Sequence, residues 1–168
     1  MNDNPNPPSG TQANLDVRLM EPTELDAVAE LLADATSEGT VEAARNALES
    51  HQQAQGAAIF IVTLAGDLTG AYIMAPAQMS VEVVLFAVRK DMRRRGLGRI
   101  IMQDALRRAG HRPMVVETGE ATMPFFTAIG FKKFGRRNGP NGEVRYRVGW
   151  HTPGQRMPTG AEQQNERS

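Results

Sequence analysis

A chain of 168 residues can form one domain with a proper core and is too short for two comfortable ones. Its 19 Lys plus Arg offset 19 Asp plus Glu, a balance that argues against a general polyanion binder, so no nucleic-acid partner is expected. With no cysteine, the chain has no disulfide, thiolate nucleophile or zinc–thiolate site, and His51, His111 and His151 stand singly, without metal-ligand spacing. No apolar run approaches the roughly 18 to 20 residues that cross a bilayer. The segment MNDNPNPPSGTQAN has neither the basic start nor the apolar stretch of a signal peptide. A cytoplasmic protein with no metal and no membrane partner is expected.

Residues 1–14 and 152–168 are polar and rich in proline, glycine or glutamine, and read as disordered around one domain over 15–151. Within it, residues 16–20 form a short strand candidate. Thr23-x-x-Asp26 reads as a capping box, with Leu25, Val28, Ala29 and Leu32 following at helical spacing. A more polar helix is expected over 41–53. Residues 58–64 and 68–75 read as strands of a hairpin turning on Ala65-Gly66-Asp67. The run VEVVLFAV, 81–88, has the length and β-branched content of a strand covered on both faces. A helix follows over 96–109, its stripe Leu97, Ile101, Ala105 and Ala109 opposed by Arg99, Gln103 and Arg107, and Gly110 ends it. A buried strand over 114–117, a short helix over 122–128, and a hairpin of 131–136 with 144–150 complete an α/β domain with a mixed sheet.

Chemistry concentrates between Val81 and Arg99. A buried strand ends, a polar loop follows, and a helix opens on Arg93-Arg94-Arg95-Gly96-Leu97-Gly98. The first turn of a helix offers unpaired N–H groups and about half a positive charge, and glycines let phosphates approach that backbone. Cations are disfavoured at such a terminus, so Arg93, Arg94, Arg95 and Arg99 there call for an anion more than a solvated surface run would. The arrangement suits a pyrophosphate. A dinucleotide fold shares the strand, Gly-x-Gly, helix and later acid at Glu117. It is opposed by Ile101 at the third glycine position and by the long loop 89–95 where that motif needs a tight turn.

This segment resembles the GNAT acetyltransferases, whose signature is Gln/Arg-x-x-Gly-x-Gly/Ala after a buried strand and a short loop. A second motif of that family, an aromatic pair followed by x-x-x-Gly-Phe, matches Phe125-Phe126-Thr127-Ala128-Ile129-Gly130-Phe131. The resemblance implies a mixed, mostly antiparallel central sheet flanked by helices, with acetyl-CoA as acyl donor. It assigns the pyrophosphate to the backbone of Arg94, Arg95, Gly96, Leu97, Gly98 and Arg99 beside Arg93, and the pantetheine arm to the backbone of Phe86, Ala87 and Val88. Phe126 stands on the same donor site, at the position where the family usually carries a tyrosine that protonates the leaving thiolate. Gly119 and Thr122 replace the usual asparagine and alanine.

Acetyl transfer needs a neutral amine, and a lysine-like amine with a pKa of about 10.4 is almost wholly protonated at neutral pH, so a general base is useful. Glu82 is the candidate: it is the only charged residue of 81–88, expected to share a face with Val84, Phe86 and Val88, and its offset from Arg95-Gly96 matches the catalytic glutamate of the histone-acetylating branch. An exposed strand end is the alternative reading of Glu82. Glu117 and Glu120 are expected to face substrate or solvent. The expected activity is direct N-acetylation of a primary amine, small-molecule or protein, in a ternary complex. A catalytically silent acyl-CoA-binding sensor or scaffold is the alternative. The sequence leaves the acceptor open, and a homodimer is one arrangement it allows.

Overall fold

The computed structural model describes residues 14–110 and 112–150, and the expected disordered segments lie essentially outside them. Seven strands and four helices alternate: β1 (Leu15–Leu19), α1 (Leu25–Leu32), α2 (Val41–Gln53), β2 (Ala58–Leu64), β3 (Asp67–Pro76), β4 (Val81–Val88), α3 (Leu97–Ala109), β5 (Met114–Gly119), α4 (Met123–Ala128), β6 (Lys132–Asn138) and β7 (Val144–Trp150). They form one sheet in the order β1-β2-β3-β4-β5-β7-β6. Every neighbouring pair is antiparallel except β4 with β5, the mixed, mostly antiparallel sheet that was expected.

Helices cover both faces. On one, Ile101, Met102 and Ala105 of α3 and Phe126 of α4 pack on Tyr72, Val83, Met114 and Val148. On the other, Val28 and Leu32 of α1 and Ala44 and Leu48 of α2 pack on Ile59, Ile61, Ala71 and Ile73. The buried strand residues of this second layer come from β2, β3 and β4 alone. Among the described residues no helix covers the β5-β7-β6 half of that face, and Glu117, Arg145 and Arg137 lie there.

Local chemistry accounts for the element ends. The expected capping box at Thr23 and Asp26 is not the one formed. Pro22 opens a 3-10 turn ahead of α1, because its fixed φ suits the first helical position, and the Glu24 carboxylate accepts from the Glu21 N–H at 2.8 Å. Asp26 pairs instead with Arg45 across to α2. The Thr40 hydroxyl caps α2 by accepting from the Ala43 N–H at 3.1 Å. The β2–β3 hairpin turns on Ala65 (φ +52) and Gly66 (φ +87), both left-handed, as the tight turn that matches strand twist requires.

Candidate functional site

Two departures from regular β structure create the site. β4 and β5 pair only through 81–83 with 114–116, after which they part. On the other edge of β4, Leu85 pairs with Ile73 and Val83 with Met74, so Val84 is an extra residue without a partner on β3. This bulge lies one residue past the last β4–β5 pair. Backbone groups on the β5 side of β4 from Val84 onward therefore face a cleft.

The bulge also corrects an expectation. Strict alternation would put Glu82 on the face of Val84, Phe86 and Val88. The extra residue shifts the phase, so Phe86 and Val88 join Val81 and Val83 in the α3 layer, while Val84, Leu85 and Ala87 pack with α1 and α2. Glu82 lies opposite the α3 layer, paired laterally with Ala75 and Val115. It is half-buried, and its carboxylate makes no hydrogen bond or ion pair among the described residues.

Beyond Val88 the chain makes a 3-10 turn over Lys90–Met92, with Met92 buried as its anchor. Arg93 Nε donates to the Val88 carbonyl at 2.8 Å, closing the loop against the strand that precedes it. Arg94 is left-handed (φ +63), a strain of about 1–3 kcal/mol for a residue with a side chain and a feature that gathers at ligand sites. Gly96, also left-handed (φ +78), caps α3. The N–H groups of Leu97, Gly98 and Arg99 have no intrahelical acceptor; the first that does is Ile100, bonded to the Gly96 carbonyl at 3.2 Å. Arg94 and Arg95 are exposed. An anion placed here meets free N–H groups, the positive helix end and guanidinium charge together.

The two glycines serve different ends. Nothing lies within 4 Å of a Cβ built on Gly96, whose requirement is its backbone conformation. A Cβ on Gly98 would sit 3.1 Å from two ring atoms of Phe125 and 3.5 Å from Phe86. Gly98 thus admits an aromatic stack. The rings of Phe86 and Phe125 lie 5.8 Å apart at 17°, and Phe126 meets Phe125 edge-on at 5.1 Å and Phe131 at 5.4 Å. Phe126 is only 2% exposed, yet it contributes to the cleft wall with Val83, Phe86, Thr118 and Thr122. That cleft holds ≈ 370 Å³ between the parted strands.

A second cavity of ≈ 590 Å³ opens on the opposite side of the sheet, between the α1–α2 connection and the uncovered half. Glu82, Glu117, Arg137 and Arg145 line it, with Glu38 and Glu42 on its exposed rim. Val84, Leu85, Glu117 and Arg145 line both cavities, so the two meet where the strands part. Glu117, the first residue of β5 past the last β4 pair, accepts from Arg137 at 2.8 and 2.5 Å and from Arg145 at 3.5 Å. Burial pushes its carboxyl up, but the hydrogen bonds and charges of Arg137 and Arg145 outweigh this and hold it below the usual carboxylate range. Asp34, beside the first cleft, is likewise held low by its hydrogen bond to Lys90 at 2.9 Å.

The structure brings Phe86, Val88, Leu97 and Phe126 together in the α3 layer, beside the loop 93–99, whereas Ala87 packs with α1 and α2 on the face that carries Glu82. Sequence reasoning missed Arg137, Arg145 and Asp34. The alternation Arg145-x-Arg147 within an otherwise apolar strand was the available signal, since charged residues two apart share one face.

A family model described as an acetyltransferase (GNAT) domain matches residues 26–144. Among solved structures, a Bacillus subtilis acetyltransferase in complex with CoA aligns with a TM-score of 0.68 at 18% identity, covering 83% of this chain and 100% of that one. An Elizabethkingia anophelis GNAT family acetyltransferase with acetyl-CoA bound gives 0.62 at 15% identity, over 82% and 98%. An N-acetyltransferase from Staphylococcus aureus gives 0.64 at 17% identity, over 83% and 99%. Among curated protein sequences there is no significant match.

Proposed function

Since the chain belongs to the GNAT acetyltransferase family, we propose that it moves the acetyl group of acetyl-CoA to a primary amine by direct attack in a ternary complex. The observation that supports this reading is the parting of β4 from β5, which opens a cleft lined by Phe86, next to Gly98 at the α3 N-terminus, and joined to the second cavity. The free N–H groups of Leu97, Gly98 and Arg99, with Arg94 and Arg95, suit the pyrophosphate of CoA. The unpaired backbone of β4 from the bulge through Phe86, Ala87 and Val88 suits its pantetheine arm, and Phe126 walls the cleft. Acetyl-CoA supplies an activated acetyl thioester.

Glu82 acts as the general base, directly or through water. Its unpartnered carboxylate takes the proton of the acceptor ammonium, which frees the nitrogen lone pair. The nitrogen attacks the thioester carbonyl carbon; the C–N bond forms, the C–S bond breaks, the thiolate leaves with the electron pair, and the nitrogen loses its second proton to water as the neutral amide forms. No side-chain hydroxyl at Phe126 protonates it. A thiol has a reference pKa near 8.5, so the thiolate is a tolerable leaving group and takes its proton from water. The lack of that hydroxyl also favours a second reading, a silent acyl-CoA-binding domain. One measurement separates them. Both readings expect acetyl-CoA to raise the thermal midpoint by mass action. Only the enzyme releases free thiol from acetyl-CoA in the presence of an amine panel.

A further inference from the structure

We propose that the acceptor is a small amine that also bears a carboxylate, an amino acid in chemical class, and that Arg145 reads that carboxylate. The inference rests on the acetyl-transfer reading above and concerns the acceptor side of the same site.

The argument starts from donors without acceptors. The Arg145 side chain is only 13% exposed, and a guanidinium carries five N–H donors in a rigid fork. Its one hydrogen bond among the described residues is from Nε to Glu117 Oε1 at 3.5 Å, the long limit of such a contact. Glu117 is already engaged by Arg137 through both carboxylate oxygens. Arg137 takes the short contacts, which leaves Arg145 a mostly buried cation held by one long contact, with most of its donors unengaged.

Its position is fixed by what faces it. Arg145 pairs in register with Gly119 of β5, and its terminal Nη1 sits 3.3 Å from where a Cβ on Gly119 would be. The bare glycine gives the guanidinium room over the strand, at the boundary of both cavities. Farther along the same sheet face, lining the same cavity, stands the Glu82 carboxylate, unpartnered among the described residues. One cation held by a single long contact and one unpartnered anion, on the same sheet face and lining one cavity, complement a molecule that carries an ammonium and a carboxylate. The amine goes to Glu82 and the thioester, and the carboxylate goes to the planar fork, which suits it. Glu38 and Glu42, exposed on the rim, are screened by solvent and add little to this selection. The carboxylate takes no part in bond making; it orients the nitrogen.

The test compares amino acids with the amines left by their decarboxylation, as matched pairs, using thiol release from acetyl-CoA. The wild-type protein is expected to prefer the carboxylated member by about tenfold or more in kcat/KM, the scale of one hydrogen-bonded charge contact. Arg145→Gln should remove that preference mainly through a higher KM for the carboxylated member, and Arg145→Lys should restore part of it. Equal or better use of the decarboxylated amines by the wild-type protein overturns the proposal, whatever the variants do. If no amine is turned over, the same pairs are titrated into the CoA-loaded protein by calorimetry. Carboxylate-selective binding that Arg145→Gln abolishes then upholds the site and removes the catalytic reading. Binding without selectivity, or none, overturns the site.

Discussion

Tyr72 Oη donates a 2.6 Å hydrogen bond to Asp104 Oδ2, joining β3 to α3, the helix that follows the arginine–glycine loop. Tyr72 is fully buried and Asp104 is 4% exposed. Burial, then the bond to Asp104, push the phenol well above its usual range, so it stays a donor. Asp104 is satisfied from its own helix too, by Arg107 and by Arg108 at 2.7 Å. Removing the phenol therefore leaves no orphaned charge, whereas removing the carboxylate strands a buried hydroxyl. Tyr72→Phe is expected to cost about 1 kcal/mol in urea unfolding and Asp104→Ala about 2–3. Equal losses would contradict this asymmetry.

The two loop glycines should part company under the same substitution. Gly96→Ala forces a side chain into a left-handed position (φ +78) and should cost about 1 kcal/mol while weakening acetyl-CoA binding through the loop. Gly98→Ala gains about 0.5–1 kcal/mol of helix propensity but pushes on the Phe125 ring, whose stacking is worth a similar amount. Its net effect on stability should be small in the wild type and clearly favourable once Phe125→Ala has made room. A double-mutant cycle in denaturant measures this coupling. The same ΔΔG in both backgrounds would remove Phe125 as the reason for Gly98.

These particulars mark what a sequence can reveal. The order of elements follows from hydrophobic period, and the glycine-capped start of α3 from the run of arginines and glycines, because both are local properties. The phase of β4 is not local. An unbroken apolar run such as VEVVLFAV carries no mark of an extra residue, so the bulge at Val84, and with it the face of Glu82, depends on pairing with β3. Asp104 is similar: inside an amphipathic helix it reads as surface until Tyr72 is seen beneath it. Arg137 and Arg145 meet Glu117 only through strand order β5-β7-β6, a contact between residues 20 and 28 positions apart.

Glu117 gives a pH prediction. Its carboxyl is held below its ordinary value of 4.5 in the folded protein, so the unfolded chain takes up its proton first as pH falls. The stabilisation is fully present above about 4.5 and is lost as the pH drops through the lower folded value. Glu24, Asp34 and Asp91 shift the same way but lie more open to solvent. Glu117→Gln should therefore flatten the decline of unfolding free energy between about pH 5 and pH 3. An unchanged slope would mean that the Arg137 and Arg145 contacts contribute nothing in solution.

Glu82 and Phe126 bear jointly on catalysis. With Glu82 as the base, Glu82→Gln should leave the acetyl-CoA thermal shift in place while lowering turnover by about 100-fold, most visibly at lower pH where free amine is scarce. A loss of cofactor binding instead would assign Glu82 a structural role at its half-buried strand position. Phe126→Tyr adds a hydroxyl to a ring held edge-on by Phe125 and Phe131. Because the thiolate can take its proton from water, the rate should stay similar or rise modestly. The combination is more telling than either change alone. Wild-type activity that disappears with Glu82→Gln and survives Phe126→Tyr fits a base-assisted transfer without a side-chain acid. A wild type inert toward every amine, which gains activity only as Phe126→Tyr, would show instead that this chain keeps the acyl-CoA site and has given up the reaction.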